Sequence, residues 1–152
     1  VTPSIATSMS DPAPKNMLAA KFSIPFAVAS ALVLGKTGVG AFQLEQLANP
    51  QVFEMAQKVK LLADDAMSFR RYDYPAARAS ITLENGRIIE ESVIAQRGDA
   101  QNPISQLALE EKFTELSYDV LGKDRTLRVI DTVQRLDELS NVRALTNLLT
   151  AP

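Results

Sequence analysis

The sequence predicts an α+β fold, a small antiparallel sheet packed with helices in a two-layer arrangement and followed by C-terminal helices. Three observations carry this. Helical patterning with recognisable caps and breaks runs from Met17 to about Lys58. One strong hairpin signal, RASITLENGRIIEESVIAQ, turns at Asn85-Gly86. Beyond Ser105 the apolar residues return to helical spacing.

The first fourteen residues, VTPSIATSMSDPAP, are rich in Ser, Thr and Pro, and residues 1–16 are expected to form an irregular lead or interdomain linker. Met17 to Leu34 holds the run KFSIPFAVASALVLGK, whose apolar residues fall on every side of a helical wheel, so a helix buried all round is expected. Ser23 suits its N-cap, Pro25 its first turn and Gly35 its end. A short helix through Leu47, a break at Asn49-Pro50 and a second helix to about Lys58 follow. Val59 to Leu62 is strand-like, and Ala63 to Pro75 is a polar and aromatic connection.

In the hairpin, a two-residue turn places Ile81 opposite Glu90. A three-residue loop of Glu84-Asn85-Gly86 with a bulge places it opposite Ile89 and gathers Ile81, Leu83, Ile89 and Val93 on one face, so the second register is expected. RGDAQNPIS forms a loop, and Ser105 caps a helix from about Gln106 to Leu121 that Gly122 stops. Asp124 to Leu139 carries Leu127, Ile130, Val133 and Leu136 at amphipathic spacing, and Val142 to Leu149 makes a last short helix. The division expected is an α+β domain at 17–122 and C-terminal helices at 123–152.

Composition narrows the function classes. With 46% hydrophobic and 22% charged residues the chain is globular rather than disordered. Sixteen basic and eighteen acidic residues, with no basic concentration, argue against nucleic acid as a partner. Ile24 to Leu34 is about half the ~20 residues that span a bilayer and does not sit where a signal peptide would, so no membrane role is expected. The chain has no Cys and no His, which removes thiolate chemistry, Cys-based zinc and the commonest general base. A cytoplasmic or organelle-matrix location is the expectation.

Of the candidate sites, Asp64-Asp65 offers adjacent carboxylates without a calcium-loop pattern and reads as a solvated turn. Arg70, Arg71, Tyr72, Asp73 and Tyr74 suit either carboxylate binding through guanidinium forks or internal ion pairs in a surface loop. The Arg97-Gly98-Asp99 triplet is explained by a loop that bends at Gly98 and leads through Asn102-Pro103 into the next helix. Lys21 stands at the mouth of the apolar helix, where a cation meets an anionic ligand or is simply solvated.

AKFSIPFAVASALVLGKTGVGAF, NPQVFEMAQKV, ARASITLENGR, GDAQNPISQLALEEKFTEL and DELSNVRALTNLL, in that order, resemble the C-terminal part of the MmgE/PrpD family. That family includes 2-methylcitrate dehydratase, cis-aconitate decarboxylase and iminodisuccinate epimerase. The resemblance implies a lid domain of a lyase or isomerase that removes a proton next to a carboxylate of a small di- or tricarboxylate, works without a cofactor or metal and is a homodimer. It also implies a preceding helical domain that carries the family's catalytic histidines, so this segment alone is expected to be inactive. Phe26 falls where relatives usually carry a Tyr directed at the substrate, and Lys21 and Ser23 approach an anionic substrate from the same helix entrance. A non-catalytic α+β interaction module is the alternative.

Overall fold

The computed structural model describes residues 1–65 and 77–150, and the Arg70–Tyr74 cluster lies outside them. Among the described residues are eight α-helices and one two-stranded antiparallel sheet, an α+β arrangement that closes with helices. The chain divides into two compact units, 1–103 and 104–152, so the helix that ends at Leu121 groups with the closing helices and not with the residues before it.

The first unit opens on α1 (Pro3–Ser8), α2 (Met17–Lys21) and α3 (Ile24–Leu34). The supposedly irregular lead therefore contains a helix. Pro3 sits in its first turn, where the absent N–H costs nothing, and the Thr7 and Ser8 hydroxyls bond back to the Pro3 and Ser4 carbonyls. Asn16 caps α2 by accepting from the Ala19 amide at 2.8 Å. After Gly35 ends α3, a 3-10 turn (Val39–Phe42) and the short α4 (Leu44–Leu47) lead to α5 (Pro50–Lys58). The Asn49 carboxamide caps α5 through the Gln51 and Val52 amides, and Pro50 opens the helix.

Ala20, Phe26, Ala29, Val52 and Ala56 form the core of this unit, with Val33, Leu34, Phe42, Leu47 and Met55 partly buried around them. Val52 and Ala56 are one turn apart on α5, as Phe26 and Ala29 are on α3, and the three alanines are wholly buried. Small side chains at a crossing let two helix backbones approach closely, so α3 and α5 pair along these positions. The expectation that α3 is buried all round is corrected here. Pro25, Phe26, Ala29 and Ser30 are buried, while Leu32 on another side is 49% exposed. An all-apolar run states that burial is favourable but not which side receives a partner, and α2, α5 and the 3-10 turn supply one.

Val59 to Leu62 is not a strand. A strand needs a neighbour to take its amides and carbonyls, and β1 (Ala77–Thr82) and β2 (Ile88–Val93) pair only with each other among the described residues. The register is the expected one, with Ile81 opposite Ile89. Gly86 closes the three-residue loop at φ 80°, a left-handed conformation that suits glycine, and the Asn85 carboxamide accepts from the Arg87 amide at 3.0 Å. All strand residues are exposed, but the face predicted to be apolar is the less open one. Ile81, Leu83, Ile89 and Val93 are 37–43% exposed, against 60% for Ile88 on the other face.

The second unit is built from α6 (Gln106–Leu121), α7 (Lys123–Gln134), a 3-10 turn (Leu136–Glu138) and α8 (Arg143–Leu149). Ser105 caps α6 through the Ala108 amide at 3.3 Å. The helix expected from Asp124 to Leu139 stops at Gln134, where Arg135 leaves helical geometry at φ −116°, ψ 33° and the chain tightens into the 3-10 turn. Gly122 alone joins α6 to α7, at φ 75°, ψ 163°. This conformation is essentially closed to residues with a Cβ, and it reverses the chain within one residue. No helix among the described residues is long and apolar enough to cross a membrane.

Candidate functional site

The junction of α2 and α3 carries the three residues singled out in the sequence. Lys21 ends α2, Phe22 leaves helical geometry, Ser23 is the N-cap of α3 and Phe26 lies in its first turn. Lys21 is exposed, at a helix C-terminus whose partial negative charge favours a cation, and makes no ion pair among the described residues. It is a cation open to solvent at the rim of the junction.

Ser23 is 1% exposed, and its hydroxyl is engaged on two sides. It accepts from the Phe26 amide at 3.0 Å, satisfying one of the orphan donors of α3, and donates to the Asp11 carbonyl. A parallel tie runs from the Ile24 amide to the Met9 carbonyl at 3.0 Å. From α5, the Gln57 carboxamide donates to the Pro12 carbonyl at 3.4 Å. The lead is thus held to the helical core through successive backbone carbonyls.

Phe26 is 3% exposed and meets Phe42 ring to ring, with centroids 6.1 Å apart and planes tilted by 43°. It also lines a cavity of about 170 Å³ together with Pro12, Ala13, Pro14, Leu47 and Phe53. The side-chain lining is wholly apolar. The cavity suits an apolar group, and the described residues that line it offer no charge to a carboxylate. The structure therefore gathers Ser23 and Phe26 into one buried arrangement and leaves Lys21 outside it on the surface.

A larger space of about 510 Å³ lies within the second unit, between α6 and α7, lined by Leu109, Phe113, Val129, Ile130 and Val133 with Gln106, Glu110 and Gln134. Among the described residues its one ionisable lining side chain is Glu110, which accepts from the Gln106 carboxamide at 2.9 Å and also from Gln134. An anionic ligand finds no cation there. Asp64 lies in an irregular stretch, where its amide donates to the Val1 carbonyl at 2.9 Å, and no three His, Cys, Asp or Glu side chains gather as a metal site would need among the described residues. In the Arg97-Gly98-Asp99 loop the Asp99 carboxylate accepts the Gln101 amide at 3.0 Å and the Asn102 side chain donates to the Ala95 carbonyl. The acid of the triplet is committed to its own turn.

The MmgE/PrpD C-terminal domain family matches residues 1–138. The chain belongs to that family. The MmgE/PrpD segment is similar to cis-aconitate decarboxylase of Mus musculus, 32% identical over 143 residues, and to that of Homo sapiens, 30% identical over 143 residues. It is more distantly similar to cis-aconitate decarboxylase of Aspergillus terreus, at 26% identity over 141 residues. These alignments cover 93%, 93% and 91% of the chain and 29% of each relative, so the chain spans about 29% of the length of the curated relatives it matches.

The roles of Pro12 and Pro14 as walls and of Asp11 as an acceptor were not legible in the sequence, because a backbone carbonyl leaves no residue-type signature. The one available hint was the pair of prolines ahead of Asn16, which restrict the chain just where it passes Phe26.

Proposed function

We propose that this chain is the C-terminal lid domain of a larger MmgE/PrpD enzyme that acts on a small di- or tricarboxylate by chemistry next to a carboxylate, and that decarboxylation of cis-aconitate is the reaction. The observation that carries this is the alignment of 93% of the chain, at 32% identity, with a curated cis-aconitate decarboxylase. Removing a proton or carbon dioxide next to a carboxylate develops enediolate-like charge, which needs a placed base and cationic or hydrogen-bonding stabilisers. The family resemblance assigns the base to a helical domain preceding this segment, and a segment without His is consistent with that assignment. Within this segment the supporting features are the solvent-open Lys21, suited to drawing in a carboxylate, and Phe26, suited to closing an apolar wall against water.

The second unit exposes much of its apolar surface, including Val120 at 60%, Val142 at 60% and Val133 at 50%. Exposed apolar side chains of this kind support contacts from the closing helices to the preceding domain or to a second subunit of a homodimer.

The complete product of the reading frame that contains this chain, incubated separately with cis-aconitate, 2-methylcitrate and iminodisuccinate, is expected to release carbon dioxide from cis-aconitate. Lys21→Ala should lower kcat/KM about tenfold, the size of one lost hydrogen bond to a charged group. Turnover of 2-methylcitrate or iminodisuccinate alone would move the proposal to dehydration or epimerisation. No turnover of any of the three would replace the enzyme reading with a protein-interaction module.

A further inference from the structure

We propose that Ser23 is a positioning residue for Phe26, which ties the first turn of α3 to the Asp11–Pro14 segment, both part of the lining of one apolar cavity, while touching no substrate itself. The inference rests on the carboxylate-enzyme reading and deepens it by separating the residues that meet substrate from the one that places them.

A serine hydroxyl has one proton and two acceptor sites. The Ser23 proton is committed to the Asp11 carbonyl and one acceptor site to the Phe26 amide. At 1% exposure the remaining site has no route to a ligand in solvent. The two partners lead to two different parts of the cavity lining. Phe26 lines the cavity from α3, and Asp11 directly precedes Pro12, Ala13 and Pro14, which line it from the lead, with Leu47 and Phe53 completing the wall. Both prolines have φ fixed by their rings, so anchoring the carbonyls at Met9, Asp11 and Pro12 orients the residues that follow with little freedom left to them. Removing one oxygen atom therefore loosens both parts of the lining at once, whereas removing Gln57 from the Pro12 carbonyl loosens one.

The test uses the complete enzyme with cis-aconitate, well below its unfolding temperature. Ser23→Ala is expected to raise KM about three- to tenfold with kcat within about twofold, the pattern of lost binding rather than lost chemistry. It should also speed hydrogen exchange at the Phe26 amide. Ser23→Thr, which keeps the hydroxyl, is expected to bring both readouts back toward wild type. Gln57→Leu, which leaves the α3 cap intact, should raise KM in the same direction by about twofold and keeps the idea testable if Ser23→Ala does not fold.

A Ser23→Ala enzyme that melts earlier but keeps both kinetic constants overturns the proposal and reduces Ser23 to a helix cap. A collapse of kcat at unchanged KM overturns it in the other direction, since Ser23 would then act on the reacting atoms. A wild-type enzyme inactive on cis-aconitate, 2-methylcitrate and iminodisuccinate alike fails the functional reading itself, and the positioning role falls with it.

Discussion

The hydroxyls of Ser117 and Thr126 meet at 3.1 Å across the joint between α6 and α7, and both residues are buried. Ser117 also donates to the Phe113 carbonyl at 2.7 Å, which uses its proton, so Thr126 is the donor of the shared bond. The bond is asymmetric. Ser117→Ala strands the Thr126 hydroxyl in a site with no exposure and is expected to cost about 1–3 kcal/mol, while Thr126→Val leaves Ser117 still bonded to Phe113 and should cost clearly less. Urea midpoints of the two variants check the order, and equal losses would contradict this assignment of donor and acceptor.

Gly122 is the whole connection between α6 and α7 and sits at φ 75°, ψ 163°. A Cβ there meets no atom within 4 Å, so the penalty for Gly122→Ala is conformational and not steric crowding by neighbours. About 1–3 kcal/mol is expected. Thermal melts followed by circular dichroism should show it, and an unchanged midpoint would mean that the joint relaxes into another geometry.

Ser30 is fully buried on α3, and its hydroxyl has no hydrogen-bond partner among the described residues. An unpaired buried hydroxyl is a cost that alanine removes, and alanine is also the better helix former. Ser30→Ala is therefore expected to stabilise the chain by about 0.5–1.5 kcal/mol, read as a higher urea midpoint. A loss of stability would point to a partner for Ser30 that the present contacts lack.

The two sides of α3 should respond in opposite ways to substitution. Ala29→Leu adds three carbons at a fully buried position facing α5 and should cost about 1–3 kcal/mol through overpacking. Leu32→Gln acts at a position 49% exposed and should cost under about 1 kcal/mol. Denaturation of both variants in parallel distinguishes a one-sided α3 from a helix buried all round, for which both changes would be severe.

Much of the local structure was legible in the sequence because its causes are local. Ser23, Asn49 and Ser105 announce helix starts through the amides they accept, Gly35 and Gly122 announce ends, and the alternation around Asn85-Gly86 selects the Ile81–Ile89 register. Family membership was legible for a related reason, since five short motifs stand in a fixed order in the chain, and the family match over residues 1–138 covers the first four of them. The chain also ruled out, by itself, any chemistry here that needs His or Cys.

Tertiary structure decided what depends on neighbours. Whether Val59 to Leu62 becomes a strand turns on a partner edge, which the described residues do not provide, and which side of α3 is buried turns on where α5 crosses. The lead has the composition of a linker, yet it contains a helix, and the carbonyls of Val1, Met9, Asp11 and Pro12 tie it into the first unit. Ser23 illustrates the division. Its capping role follows from residue type and spacing, and its burial follows from Asp11 arriving twelve residues away to take its proton. Caps and turns are settled by interactions within a few residues, whereas burial and pairing are settled by which distant surfaces meet.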